Sequence, residues 1–255
     1  MEEADEHLQR KLPDPQPGKV DVAPKLQLQR RQELEHALRA RPDDPALFLE
    51  LAQLYRDEHR PLEAKRVLQQ ACSIFPGNTE VLWQFEEALL ARSLQQFREA
   101  NDLASRVNSA EADEQLERSQ QDWIKQRIEV CSARLRRDPS LDQLRVVMAE
   151  ALFDDGSYEQ AILDVGPATT SDRFSPQAFL MKGRCELALG RPAEAMKSLR
   201  AAAMRREIPA PLKIRVAGLR LLCETATSLG LTGSGKHYQN ALRQAEKELS
   251  ATAGG

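Results

Sequence analysis

From Pro24 to Ala251, apolar residues recur three and four positions apart almost without interruption, and no prolonged every-second-residue alternation competes with them. A chain patterned in this way must bury one stripe of each segment against another helix, so the expected fold is all-α. Helix beginnings are marked as well. Asp44-Pro45, Asp138-Pro139 and Ser175-Pro176 each set a capping side chain before a proline suited to the first helical position. Turn chemistry follows inside the segments at Asp154-Asp155-Gly156-Ser157, Gly190-Arg191-Pro192 and Gly230-Leu231-Thr232-Gly233. The predicted unit is therefore helix, short turn, helix.

A helical hairpin with one apolar face is unstable alone and gains stability by stacking on copies of itself, which makes self-similarity at a fixed period the next test. In residues 45–78, Phe48, Leu51, Ala52 and Tyr55 are followed by Ala64, Leu68, Ala71 and Pro76. This is the W-x2-L-G-x2-Y, A-x3-F, P spacing, and the segment resembles the tetratricopeptide repeat (TPR) family. Residues 142–175 repeat the design through Met148, Ala149, Leu152, Gly156, Tyr158, Ala161, Val165 and Ala168, with Arg145 where a large aromatic is usual. Residues 176–209 repeat it again through Phe179, Gly183, Gly190, Ala195, Leu199 and Ala202, while Lys182 and Glu186 depart from the pattern. The starts of these two copies, 142 and 176, are 34 residues apart, the family period. Small residues such as Ala52 and Ala64 let the paired helices approach, and large neighbours fill the space between them.

Other stretches match less well. Residues 79–109 keep Leu82, Trp83, Phe85, Leu89, Leu90, Phe97 and Ala100 and are expected to form a degenerate hairpin. Residues 216–249 keep Leu219, Leu222, Gly230 and Ala241 and are expected to form the terminal unit. Leu34, Ala37 and Pro42 read as a lone capping helix ahead of the first repeat. Between 110 and 137 a long helix is marked by Leu116, Trp123, Ile124, Ile128, Cys131 and Leu135, with Asn108 and Glu111 spaced as a capping box. The organisation expected is a polar, proline-rich arm over 1–24, an N-terminal subarray over 25–109, a C-terminal subarray over 110–250 with an elbow near Asn108 to Asp113, and a short tail over 251–255.

Composition excludes several classes of function. With 36 Lys and Arg against 39 Asp and Glu, the formal charge of −3 gives no basic field for nucleic acid. The basic clusters Arg30-Arg31, Arg134 to Arg137 and Arg205-Arg206 lack interleaved aromatic residues for stacking bases. No apolar run is long enough to span a bilayer, so no membrane insertion is expected, and the acidic start from Met1 to Glu6 is unlike a secretory signal. Four widely spaced cysteines, Cys72, Cys131, Cys185 and Cys223, suit a reducing compartment, and a cytoplasmic location is expected. Cys185 and Cys223 fall on consecutive repeats, where burial as small hydrophobes is preferred to a regulatory disulfide. The histidines are too scattered to hold a metal.

Catalytic motifs are equally thin. Gly230 to His237 fulfils G-x4-G-K but puts His237 where a phosphate-binding loop needs a magnesium-ligating hydroxyl, and a helix is expected before it instead of a strand. Nucleotide binding there remains a remote alternative. Acidic pairs Glu86-Glu87 and Asp154-Asp155 read as a wet helix face and a turn. No enzyme activity, cofactor, metal or small-molecule substrate is expected.

The family resemblance implies a right-handed superhelix of helical hairpins whose concave wall, built from the first helix of each repeat, accepts a segment of another protein. Carried onto this sequence, the inward positions are Leu49, Gln53 and Arg56, then Val146, Glu150 and Phe153, then Leu180, Arg184 and Leu187. The expected function is a non-catalytic TPR-type scaffold, with the leucines, Val146 and Phe153 giving contact area and Arg56, Glu150 and Arg184 orienting the partner. Cover of several of these residues by the chain's own C-terminal helix is the plain alternative. The family's lysine and asparagine clamp for a terminal carboxylate is absent, since Ala46, Leu49, Gln53, Gln177, Leu180 and Arg184 occupy comparable places. A rival from another class is self-association through Trp123, Ile124, Ile128 and Leu135.

Overall fold

The computed structural model describes residues 22–204 and 209–253. Eleven α-helices and one 3-10 turn, with no strand, make up the regular structure among these residues. The arm expected over 1–24 lies outside the described residues except for its last three, which open the first helix, and of the expected tail residues 251–253 continue the last helix.

The chain divides into two compact units, one ending at Ala88 and the other beginning at Leu89. This division falls inside a helix, twenty-odd residues before the elbow expected near Asn108.

The first unit contains α1 (Val22–Ala40), α2 (Pro45–Asp57), α3 (Pro61–Ile74) and the start of α4 (Thr79–Val107). Asp44 caps α2 as its sequence foretells: its Oδ1 accepts a hydrogen bond from the Ala46 N–H at 3.0 Å, with Pro45 at the first helical position. Ala52 on α2 and Ala64 on α3 are fully buried, and Phe48, Leu51 and Leu68 close the core between them. Phe48 also meets Phe75 edge to face, with ring centroids 6.0 Å apart. Leu34 of α1 is buried in the same core, so α1 does cover the open side of the first hairpin.

The hairpin expected over 79–109 is instead one helix of 29 residues, α4. The reason is local: between Asn78 and Asp138 the sequence holds neither glycine nor proline, and nothing in 79–107 ends a helix. The break comes at Asn108, whose φ of 49° is the left-handed conformation that asparagine tolerates at a helix end. Ser109, one residue later than the expected cap, takes the N-cap position of α5 (Ala110–Arg137), and its Oγ accepts from the Ala112 N–H at 3.3 Å.

In the second unit α5 packs on α6 (Asp142–Asp154), α6 on α7 (Tyr158–Val165), α7 on α8 (Ser175–Ala188), α8 on α9 (Pro192–Ala203), α9 on α10 (Leu212–Ser228), and α10 on α11 (Thr232–Ala253). Consecutive helices stacking in this order make an all-α helical-hairpin solenoid. The expected register holds where contacts are tightest. A Cβ on Gly183 of α8 would lie 2.7 Å from Leu199 Cγ of α9, so only glycine permits this approach. Gly156 and Gly190 make the intra-hairpin turns at positive φ, 83° and 71°.

Two expected helix starts are displaced. Asp138 closes α5 and folds a turn in which its Oδ1 accepts from the Ser140 N–H at 2.9 Å, so α6 begins at Asp142. Ser175 is the buried first residue of α8, not its cap. Gly166-Pro167 ends α7 early, and Ala168 is buried from the 3-10 turn Pro167–Thr170 instead of from a continuing helix. Arg145, at the usual aromatic position, donates through Nη2 to the Pro139 carbonyl at 2.9 Å and packs its stem with only 19% of the side chain exposed.

Candidate interaction face

The nine positions expected to face inward fall on three helices, one in the first unit and two in the second. On α2 of the first unit, Leu49 is half-buried and leans on the core. Gln53 and Arg56 form a local chain, with Arg56 Nη2 donating to Gln53 Oε1 at 2.7 Å and Gln53 Nε2 donating to Asp57 Oδ1 at 2.7 Å. Helical spacing puts these residues on one face, and their side chains hold one another there.

In the second unit α6 and α8 present the remaining six. Val146 is only 6% exposed and belongs to the core shared by α6, α7 and α8, so it has little area to give a partner. Leu180 and Leu187 are half-buried and pack on the core built by α9, α10 and α11, which fits the plain alternative in part. Phe153 is half-buried, with its ring 5.2 Å from that of Tyr158 and the Arg184 guanidinium 4.4 Å from its centroid. That distance is a cation–π contact, which fixes a long side chain against a flat surface.

Glu150 stands half-exposed between two guanidinium groups. Its pKa is raised by desolvation, against which Arg127 and Arg184 pull it down, while Asp154 adds to the rise. Arg127 of α5 binds Asp154 Oδ2 at 2.8 Å and reaches Glu150 at 3.9 Å, and its guanidinium lies 5.6 Å from the Trp123 ring. Arg184 has no carboxylate within ion-pair distance among the described residues. The face thus offers an aromatic ring, a cation held on that ring without a carboxylate in ion-pair distance, and a carboxylate under cationic control.

Sequence reasoning did not bring Arg127 and Asp154 here. Asp154 was legible only as part of a turn, and Arg127 shares the face because α5 packs on α6; the Trp123/Arg127 spacing of four was the one available signal. The self-association stripe fares differently: Ile124 is 2% exposed and Ile128 packs on the α6–α8 core, which removes the centre of the apolar surface it needed.

The glycine-rich stretch is also accounted for. Thr232 to His237 form the first turns of α11, following helix α10 and not a strand, so the residues that would wrap a phosphate are helical. The four cysteines are free thiols. Cys185 is fully buried, and burial pushes its thiol up to about 11. No helix among the described residues is long and apolar enough to cross a membrane.

No family model matches the chain, and no curated protein matches it. Among solved structures, it is similar to PilW, a widely conserved type IV pilus biogenesis factor, at 17% identity over 88% of this chain and 87% of that one, with a TM-score of 0.43. It is also similar to the TPR2AB domain of yeast Sti1 in complex with pHSP90, at 14% identity over 88% of this chain and 81% of that one, with a TM-score of 0.31. Both likenesses are remote, and it is the chain's own small residues buried between paired helices, with the consecutive stacking of α5 to α11 in the second unit, that make the fold all-α and TPR-like.

Proposed function

We propose that the protein is a non-catalytic interaction scaffold that holds a polypeptide segment against the first helices of its hairpins. One observation carries this reading: Arg184 lies over Phe153 with no carboxylate of its own, beside Glu150 and Leu187, on a face that the stacked helices leave half open. A segment with an acidic residue next to an apolar one matches that arrangement, the acid meeting Arg184 and the apolar group resting on Phe153 and Leu187. In the first unit, Leu49 offers apolar area, and Gln53 and Arg56 offer polar contacts.

A photo-crosslinkable phenylalanine analogue at position 153 would capture the bound protein, and a synthetic peptide from the crosslinked segment would then be titrated against the full chain. Arg184→Glu is expected to weaken that peptide by about 1–3 kcal/mol with helicity unchanged. If the double change Phe153→Ala and Leu187→Ala leaves the peptide affinity unaltered, the face is not the binding surface.

A further inference from the structure

Helix α8 is loaded on two sides. Arg184 and Leu187 belong to the inner face, whereas Phe179, Lys182 and Glu186 stand at the aromatic, leucine and tyrosine positions of the repeat pattern. In the first hairpin these positions hold Phe48, Leu51 and Tyr55, all buried in core. In α8 the two polar substitutes leave a cavity of about 600 Å³ among α7, α8 and α9, walled on its apolar side by Ile162 and Phe179. That volume is within the range of small-molecule sites.

The chemistry of the cavity is set by Glu186. Its side chain is 7% exposed, and its ion pair with Lys182 Nζ is stretched to 4.0 Å from Oε1. Its Oε2 is buried and receives no hydrogen bond from any described residue. A buried carboxylate oxygen without a donor is costly until one reaches it. From α9, Lys197 and Glu194 also line the cavity, and neither has an ion-pair partner among the described residues. Arg191 is engaged by Glu159 of α7 at 2.7 Å.

These charges select against simple ions. An anion would sit beside Glu186 and leave Oε2 without a donor. A cation without a counter-charge would satisfy Glu186 but leave Lys197 unpaired and bring a second positive charge beside Lys182. A molecule carrying both charges on an apolar stem gives Glu186 a donor and Lys197 a counter-charge together. We propose that this cavity binds a small dipolar molecule, with an ammonium or guanidinium on Glu186, a carboxylate on Lys197, and a hydrocarbon stem along Ile162 and Phe179. Lys182, with a third of its side chain exposed, is placed to turn from Glu186 toward the same carboxylate.

Three probes of matched length test the proposal on the full chain: ε-aminocaproate, n-hexylamine and caproate, followed by amide NMR shifts. Saturable shifts on α8 and α9 are expected for ε-aminocaproate, with the two monofunctional probes at least about tenfold weaker. Glu186→Gln, which keeps the shape, is expected to abolish the binding with helicity intact, and Lys197→Ala to reduce ε-aminocaproate to the level of n-hexylamine. Should Glu186→Gln not fold, the exposed Lys197→Ala change decides alone. The proposal is overturned by no saturable shift up to about 50 mM ε-aminocaproate, by equal affinity for a monofunctional probe, or by folded variants that bind as the parent does. None of these results bears on the Phe153 and Arg184 face.

Discussion

Gly183 shows how little slack a single position in this molecule has. Leu199, against which it packs, is fully buried, so a larger residue cannot push that side chain into solvent. Gly183→Val is expected to destabilise the chain by about 1–3 kcal/mol through overpacking, measured as a lower urea midpoint with an unchanged slope. Ala52 and Ala64 play the same part in the first hairpin, and all three positions were legible in the sequence because small residues at fixed spacing have few other uses. Lys182 and Glu186 were legible only as departures from the pattern. That they line a cavity instead of displacing the helix depends on Gly183 and Leu199 holding the register, a three-dimensional fact.

At the scale of elements, α4 is the instructive case. A reader guided by the repeat expects a turn near its middle, because neighbouring segments have one, yet no glycine or proline lies between Thr79 and Val107. Buried Ser93, Ala100 and Ala104 continue the pattern of covered positions well beyond Ala88. Hydrogen exchange is therefore expected to show protection running through residues 90–100, and a fast-exchanging stretch there would restore the hairpin. The opposite error occurred at Asp138-Pro139 and Ser175-Pro176, where a capping dipeptide was present but the helix chose a different first residue. Side-chain oxygens serve turns as readily as caps, as the Asp138–Ser140 hydrogen bond demonstrates.

For the whole molecule, the fold class followed from periodicity, while the composition of the candidate face did not. Phe153, Glu150 and Arg184 came from repeat positions, but Arg127 joins them from a helix outside any recognisable repeat, 27 residues before its partner Asp154. Burial of Ile124 and the packing of Ile128 on the core weaken the rival reading of self-association through that stripe. Light scattering over a concentration series is expected to give the mass of one chain, about 28.7 kDa, and a dimer would show that another surface drives association.

The double loading of α8 has an energetic corollary. With both proposed ligands on α8, a helix of 14 residues, each would report on the other: if an occupant of one side rotates or shifts it, affinity on the opposite side changes. Thermodynamic linkage then requires the reverse effect to be equal in size, so either ligand measures the coupling.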